Sequence, residues 1–307
     1  MEKYFPTIVN SVCELVENII QKYSKRLIHL AMDQDRSEMF NRRHSDNFLS
    51  AIDIELHEVY RREIAKIIPE CIYASEEGDA EYLTENRSGS PEFIAIIDPL
   101  DTSELAVRGL NGYTQVAVYS IQQKRPIVAV VGDMFHEIRL YCGAITNDGR
   151  EVAFARTRSG AVHELKCKRD VAINQAILTS YFMRPKERFN VVALENDLLN
   201  ALAEENADGQ RRGRIGIDFG SAGLCHVASG GTDAFIEIAK GFWLWDLYPG
   251  HFILEASGGT VVDLAGNKLS LSLPSSLEGM RCAMRKRQKF VSASSEVLAK
   301  SIASKLN

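Results

Sequence analysis

The spacing of apolar residues changes twice along this chain, and each change fixes what the segment can become. Val9, Val12, Cys13, Val16, Ile19, Ile20, Tyr23 and Leu27 recur at the i, i+3, i+4, i+7 spacing of an amphipathic helix. A second helical pattern, Leu56, Val59, Tyr60, Ile64 and Ile67, must end before Pro69, which has no N–H to continue it. The period then falls to two. Short β-type segments follow near 71–75, 93–97, 113–122, 126–132, 136–142, 150–156 and 161–165, separated by turn signals such as Asn147-Asp148-Gly149 and Ser159-Gly160. Strands so close together predict an antiparallel meander. Beyond about residue 172 strands and helices alternate: strand 176–182, a polar helix at 184–205, strand 214–219, a helix from Ser221, strand 233–238, a helix at 247–257, strands 260–262 and 290–293, and a helix from Ser294. Alternation of this kind builds layered α/β structure. The reading is therefore an N-terminal α+β half, 1–172, carrying two helices and an antiparallel sheet, and a C-terminal α/β half, 173–307, with a mixed sheet. With no repeat, low-complexity tract or long linker visible, the two halves are expected to pack as one body.

Composition narrows the function classes. A formal charge of −5 argues against a nucleic-acid surface, which needs clustered Lys and Arg, so Arg211-Arg212-Gly213-Arg214 and Arg285-Lys286-Arg287-Gln288-Lys289 read as solvated turns. No apolar run reaches the 18 residues that cross a bilayer. The start shows no basic segment ahead of an apolar core, so a cytoplasmic location is expected. Six cysteines at 13, 71, 142, 167, 225 and 282 are too far apart for a CxxC motif and read as reduced thiols. The histidines show no metal-ligand spacing, and Gly258-Gly259 reads as a turn between helix and strand.

Three acidic stretches mark the ends of β-rich runs: Ser75-Glu76-Glu77-Gly78, Asp98-Pro99-Leu100-Asp101-Thr102-Ser103, and Trp245-Asp246-Leu247-Tyr248-Pro249-Gly250 with the later Glu255-Ala256-Ser257-Gly258-Gly259. Carboxylates without His or Cys are the all-oxygen set that hard divalent cations such as magnesium prefer. Phe93-Ile94-Ala95-Ile96-Ile97 has the length of a buried strand with Asp98 at its end. Asp101 is expected to cap a short helix, with Glu104 completing a capping box and Gly109 stopping it. That arrangement draws two carboxylates and the Leu100 carbonyl together, with the N–H groups of Thr102 and Ser103 as an anion cradle beside them. Asp246 is expected at the N-cap of the next helix, with Pro249 in its first turn.

In this order the motifs resemble the inositol monophosphatase-like family, within the inositol monophosphatase and fructose-1,6-bisphosphatase superfamily of magnesium-dependent, lithium-sensitive phosphatases. The resemblance covers nearly the whole chain. Ser75-Glu76-Glu77 is similar to the family's Gly-Glu-Glu, Asp98 through Ser103 to its D-P-[IL]-D-G-[ST], and Trp245 through Gly259 to its W-D-x-x-[AP]-G…E-A-G-G. Gly220-Ser221-Ala222 resembles G-S-A-A, Gly230 through Phe235 resembles G-x-x-D-A-[FY], and Asn47 through Asp53 resembles D-x-x-T-x-x-D. The resemblance implies a layered αβαβα sugar-phosphatase fold with the site between the halves, a homodimer, and two or three Mg2+ ions with Li+ as inhibitor. It implies metal binding by Glu76, Asp98, the Leu100 carbonyl, Asp101 and Asp246, with Asp53 holding a third ion or its water. Glu76 would accept the proton of an attacking water that Ser103 orients. Thr102, Ser103, Gly220, Ser221 and Glu237 would meet the substrate.

The implied activity is hydrolysis of a small polyol, inositol, sugar or nucleotide phosphate, with inositol monophosphate first and fructose-1,6-bisphosphate or 3′-phosphoadenosine 5′-phosphate as rivals. A non-catalytic metal- and phosphate-binding regulatory protein is the alternative from another class, motivated by departures around the pocket. Thr102 stands where the family has Gly, Asn47 where it has Asp, Ile217 where it often has Arg, and Leu105-Ala106 where it has Asn-Phe.

Overall fold

The computed structural model describes residues 5–36, 38–39, 48–83, 91–167 and 170–306. Asn47, and with it the start of the 47–53 motif, lies outside the described residues. The chain divides into two compact units, Met1–His163 with Ser272–Arg285, and Glu164–Leu271 with Lys286–Asn307. The division expected from sequence fell at 172/173 and left 272–285 in the second half.

The first unit is built on α1 (Thr7–Asp33), α2 (Ala51–Ile67) and an eight-stranded sheet. Its strands are β1 (Cys71–Ser75), β2 (Glu81–Leu83), β3 (Phe93–Asp101), β4 (Tyr113–Ser120), β5 (Arg125–Asp133), β6 (Ile138–Ile145), β7 (Glu151–Thr157) and β8 (Val162–Glu164), in the order β2-β1-β3-β4-β5-β6-β7-β8. The expected meander runs from β3 to β8, but the sheet is mixed because β1 lies parallel to β3. Buried Val12, Val16 and Leu27 of α1, and Ile52, Leu56, Tyr60 and Ile64 of α2, are the apolar stripes that the periodicity marked. Packing against the sheet is what stabilises these helices, since each fully buried aliphatic side chain contributes about 1.5–3 kcal/mol. The hydroxyls of Tyr60 and Thr114 meet at 2.5 Å, joining α2 to β4. A single helical turn, α3 (Ser103–Ala106), follows β3.

The second unit has a five-stranded mixed sheet of β9 (Ile177–Ser180), β10 (Arg214–Ile217), β11 (Ala234–Phe242), β12 (Thr260–Val262) and β13 (Gln288–Ala293), in the order β10-β9-β11-β13-β12. The polar helix expected over 184–205 is divided. A π-helical turn at Pro185–Phe189 leads into α4 (Asn190–Ala193), and α5 (Asn196–Ala203) starts afresh after Leu194 and Glu195. Then come α6 (Gly220–Ala228) and α7 (Leu244–Ala256), which starts ahead of the expected Leu247. Leu178, Leu198, Ile236, Val291, Leu298 and Ile302 form part of the buried core between the sheet and α5 with the C-terminal helix Glu296–Ala303. In the Ser272–Arg285 segment of the first unit the sequence reading missed a helix, Leu277–Ala283, whose Ser276 hydroxyl accepts from the Gly279 N–H as an N-cap. Among the described residues no helix is long and apolar enough to cross a membrane.

Candidate active site

In the first unit, the ends of β1 and β3 carry the acidic residues. β3 runs past Asp98 to Asp101, so Asp98 does not terminate the strand. Pairing to β4 is regular through Asp98 opposite Gln115, then shifts before Asp101 opposite Tyr113. Two residues of one strand thus spread over a shorter run of the other, a bulge. Pro99 falls inside it, where a missing N–H costs the ladder least. Asp98 is 1% exposed and Leu100 2% exposed, while Asp101 is partly exposed. Asp101 is not a helix cap: Thr102 occupies that position, and the Asp101 Oδ2 instead accepts from Gln115 Nε2 at 2.8 Å. The capping box with Glu104 is likewise absent, and α3 is only four residues long, too short for the helix-end anion cradle expected at Thr102 and Ser103.

Glu76 follows β1, and its backbone N–H donates to the Ile97 carbonyl at 3.1 Å, which ties it to β3 one residue before Asp98. Glu76 and Asp98 each offer one carboxylate oxygen within 4.8 Å of the other. Tyr60 lies close enough that the Asp98 charge adds to burial in raising the phenol, so the hydroxyl stays protonated.

Asp53 occupies the third position of α2, and its Oδ2 accepts from the Ser50 N–H at 2.7 Å and the Ser50 hydroxyl at 2.6 Å. It therefore closes a capping box at the start of α2, a role the sequence reading did not assign it. Burial pushes its carboxyl up to about 6, with hydrogen bonds from Ser50 and Ser103 pulling downward. Ser103 thus stands beside Asp53, and its hydroxyl also lies 3.5 Å from the Phe48 carbonyl.

Thr102 holds a left-handed backbone, φ +59°, with its Oγ1 donating to the Asp101 carbonyl at 2.7 Å. Glycine adopts this conformation without cost, whereas a β-branched residue is strained there by about 1–2 kcal/mol.

The second unit holds the other candidates. Asp246 is not the N-cap of α7 but its third residue, and its Oδ2 accepts from the Trp243 N–H at 3.2 Å. Pro249 lies deeper in the helix than its first turn. Gly220 has φ +42° and begins α6. Ser221 is fully buried; its hydroxyl donates to the Asp246 carbonyl at 2.8 Å and accepts from the Gly250 N–H at 3.0 Å. A Cβ on Gly250 would stand 2.6 Å from the Ser221 carbonyl, so glycine permits this close approach of α6 and α7. Ser221 fixes the first turn of α7, and through it the backbone that carries Asp246.

Glu237 is 1% exposed and engaged within the fold. Its Oε1 accepts from the N–H groups of Ala239, Lys240 and Gly241 at 3.0, 2.9 and 3.0 Å, and its Oε2 pairs with Arg188. Arg188 in turn lies over the Tyr181 ring at 4.6 Å, and burial lowers it to about 10. β11 loses register with β13 between Glu237 and Phe242, a bend that the pair organises. Arg188 was not singled out from sequence, since nothing local marks a partner so distant in the chain. Two of the histidines set aside from sequence have partners of their own here, His226 with Asp218 at 2.8 Å and His251 with Glu255 at 3.2 Å.

The model of the inositol monophosphatase family matches residues 6–306, and the chain belongs to that family. A relative named Nus factor SuhB from Pasteurella multocida is 25% identical over 222 residues, 72% of this chain and 74% of its own length. One named inositol monophosphatase 2 from Saccharomyces cerevisiae is 25% identical over 230 residues, 70% of this chain and 69% of its own. The solved structure of a calcium-bound IMPase family protein from Staphylococcus aureus superposes with a TM-score of 0.68 at 15% identity, covering 97% of this chain and 95% of that one, which establishes the fold. The protein is a phosphoric monoester hydrolase of this superfamily, whose members are metal-dependent phosphatases acting on small phosphorylated substrates.

Thr102→Gly relieves the left-handed strain but adds about 0.5–1 kcal/mol of chain entropy to the unfolded state. It should raise stability by about 0.5–1 kcal/mol in urea unfolding with an unchanged denaturant slope, and a clear loss would contradict the assignment. A carboxyl such as Asp53, whose folded pKa lies above its unfolded value, penalises the folded state once ionised, so stability is lost as pH rises from about 4 to about 6. With metal chelated, the stability of Asp53→Asn relative to the parent protein should therefore climb by about 2–3 kcal/mol between pH 4 and pH 7, and a pH-independent difference would refute it.

Proposed function

We propose that this phosphatase hydrolyses a small phosphomonoester with Mg2+, inositol monophosphate being the first candidate and fructose-1,6-bisphosphate or 3′-phosphoadenosine 5′-phosphate its rivals. The observation that carries this reading is the Glu76–Asp98 pair, two carboxylate oxygens within 4.8 Å at adjacent strand ends with a buried main-chain carbonyl, Leu100, next in line. The donors are all oxygen, which suits a hard divalent cation and disfavours zinc, whose sites draw on Cys and His.

The residues that would hold the ions are Glu76, Asp98, Asp101, Asp246 and the Leu100 carbonyl, with Asp53 at a third ion or its water; the approach of Glu76 and Asp98 within the first unit supports this assignment. Divalent cations bound there supply Lewis-acid polarisation of the phosphoryl oxygens and a more acidic water. Glu76, half-buried after β1, accepts the proton of the attacking water, and Ser103 orients that water from beside Asp53. Gln115 keeps the Asp101 carboxylate aimed by donating to one of its oxygens. Thr102, Ser103 and Gly220 are the proposed contacts to the phosphate or alcohol. Ser221 and Glu237 act from behind, since their polar atoms are engaged with α7 and with the bend of β11. A homodimer, a cytoplasmic location and inhibition by Li+ belong to the same reading.

The test is phosphate release by the purified chain across inositol, sugar and nucleotide monophosphates. Mg2+ should elicit turnover on at least one of them, Li+ should inhibit it, and Asp98→Asn should lower kcat by about 10³ or more, the loss of several kcal/mol of charge stabilisation. Undiminished turnover in EDTA, or in Asp98→Asn, would overturn the mechanism.

A further inference from the structure

The first unit carries a second concentration of charge, of the opposite sign, at the far side of its sheet. A cleft of about 500 Å3 opens between α1 and the β6–β7–β8 edge, lined by Glu17, Ile20, Gln21, Arg139, Arg156 and Arg158 among others. Its size falls within the range of small-molecule sites. Ile20, 2% exposed, gives it an apolar floor.

The guanidiniums are held in place by the fold. Arg156 pairs with Glu17 across the cleft. Arg139 Nη1 donates to the Met134 carbonyl at 3.4 Å, and Arg158 Nη2 donates to the Phe135 carbonyl at 2.9 Å. A guanidinium has five N–H donors in a rigid fork, so each such anchor orients the group while leaving donors for a ligand. Arg139 is held below the usual arginine range, first by burial and then by the charge of Arg158, with Asp133 and Glu137 acting the other way. Folding has thus brought like charges together. Three guanidiniums against the single carboxylate of Glu17 leave the lining with two positive charges in excess, although the whole chain has a formal charge of −5.

We propose that this cleft binds the dianionic phosphate group of a small phosphorylated molecule, at a site separate from the Glu76–Asp98 pair. Two excess positive charges match a phosphate monoester dianion, and the arginine fork matches its oxygens in pairs. Strands β4, β5 and β6 lie between β3 and β7, which at about 4.8 Å per strand puts the cleft roughly 20 Å from the acidic strand ends. Glu17 is the one carboxylate in the lining and is paired with Arg156, so the cleft binds without hydrolysing. The inference is independent of which substrate the phosphatase turns over.

The experiment is a calorimetric titration of the full chain with inorganic phosphate in EDTA, with acetate as the singly charged control. Removing the metal leaves the acidic strand ends repelling anions, so the cleft is read alone. Saturable binding of phosphate but not acetate is expected, weakened at least about tenfold in Arg139→Gln/Arg158→Gln by the loss of charge-assisted hydrogen bonds. Asp98→Asn should bind phosphate in EDTA as the parent protein does. Circular dichroism checks that the variants fold. If the double variant does not, Arg158→Gln alone, an exposed side chain, must still weaken binding about threefold or more. Absence of saturable binding, an unchanged affinity in the arginine variants, or loss of binding in Asp98→Asn would each overturn the proposal.

Discussion

One interruption of sheet pairing governs the acidic site. If β3 continued in register with β4 beyond Asp98, its side chains would alternate strictly between the two faces of the sheet. The shift between Asp98–Gln115 and Asp101–Tyr113 breaks that alternation. It lets buried Asp98 and partly exposed Asp101 sit within three residues at one strand end, with Pro99 and Leu100 between them. Gln115 and Glu76 belong to the same device. Gln115 lies opposite Asp98 yet donates to Asp101, and the Glu76 N–H is tied to the carbonyl preceding Asp98. The apolar core of Ile94, Ile96 and Ile97 beneath them anchors the strand so that the loop cannot drift.

A rigid scaffold matters because carboxylates held close together repel one another, and several kcal/mol are at stake when charges are buried without compensation. The protein treats its buried charges in two ways. Glu237 is compensated within the fold, by three backbone N–H groups and Arg188, and so becomes structural. The Glu76–Asp98 pair places like charges together, an arrangement that a divalent cation stabilises.

Much of the architecture was legible in the sequence because its strongest signals are long and periodic. The stripes of α1 and α2, the alternation through β4 to β7 and the βα rhythm of the second unit each span many residues. What was not legible depends on partners distant in the chain. Whether Asp101 caps a helix or closes a strand turns on Gln115, fourteen positions on. Glu237 looked available until Arg188 stood against it, and Ser221 until its hydroxyl was found spanning α6 and α7. The helix Leu277–Ala283 was missed because it is short and carries Gly279, although its Ser276 cap was written in the sequence. The acidic motifs themselves were legible as motifs, and the family they mark matches the chain over residues 6–306.

The central claim is that the strand ends bearing Glu76 and Asp98 hold a divalent cation. Crystals grown with manganese, examined by anomalous diffraction at the manganese edge, address it without any assumption about substrate. The account predicts an anomalous peak within about 2.5 Å of carboxylate oxygens of Glu76 and Asp98. Crystals saturated with the metal but showing no peak there, or peaks only on scattered surface carboxylates, would contradict it.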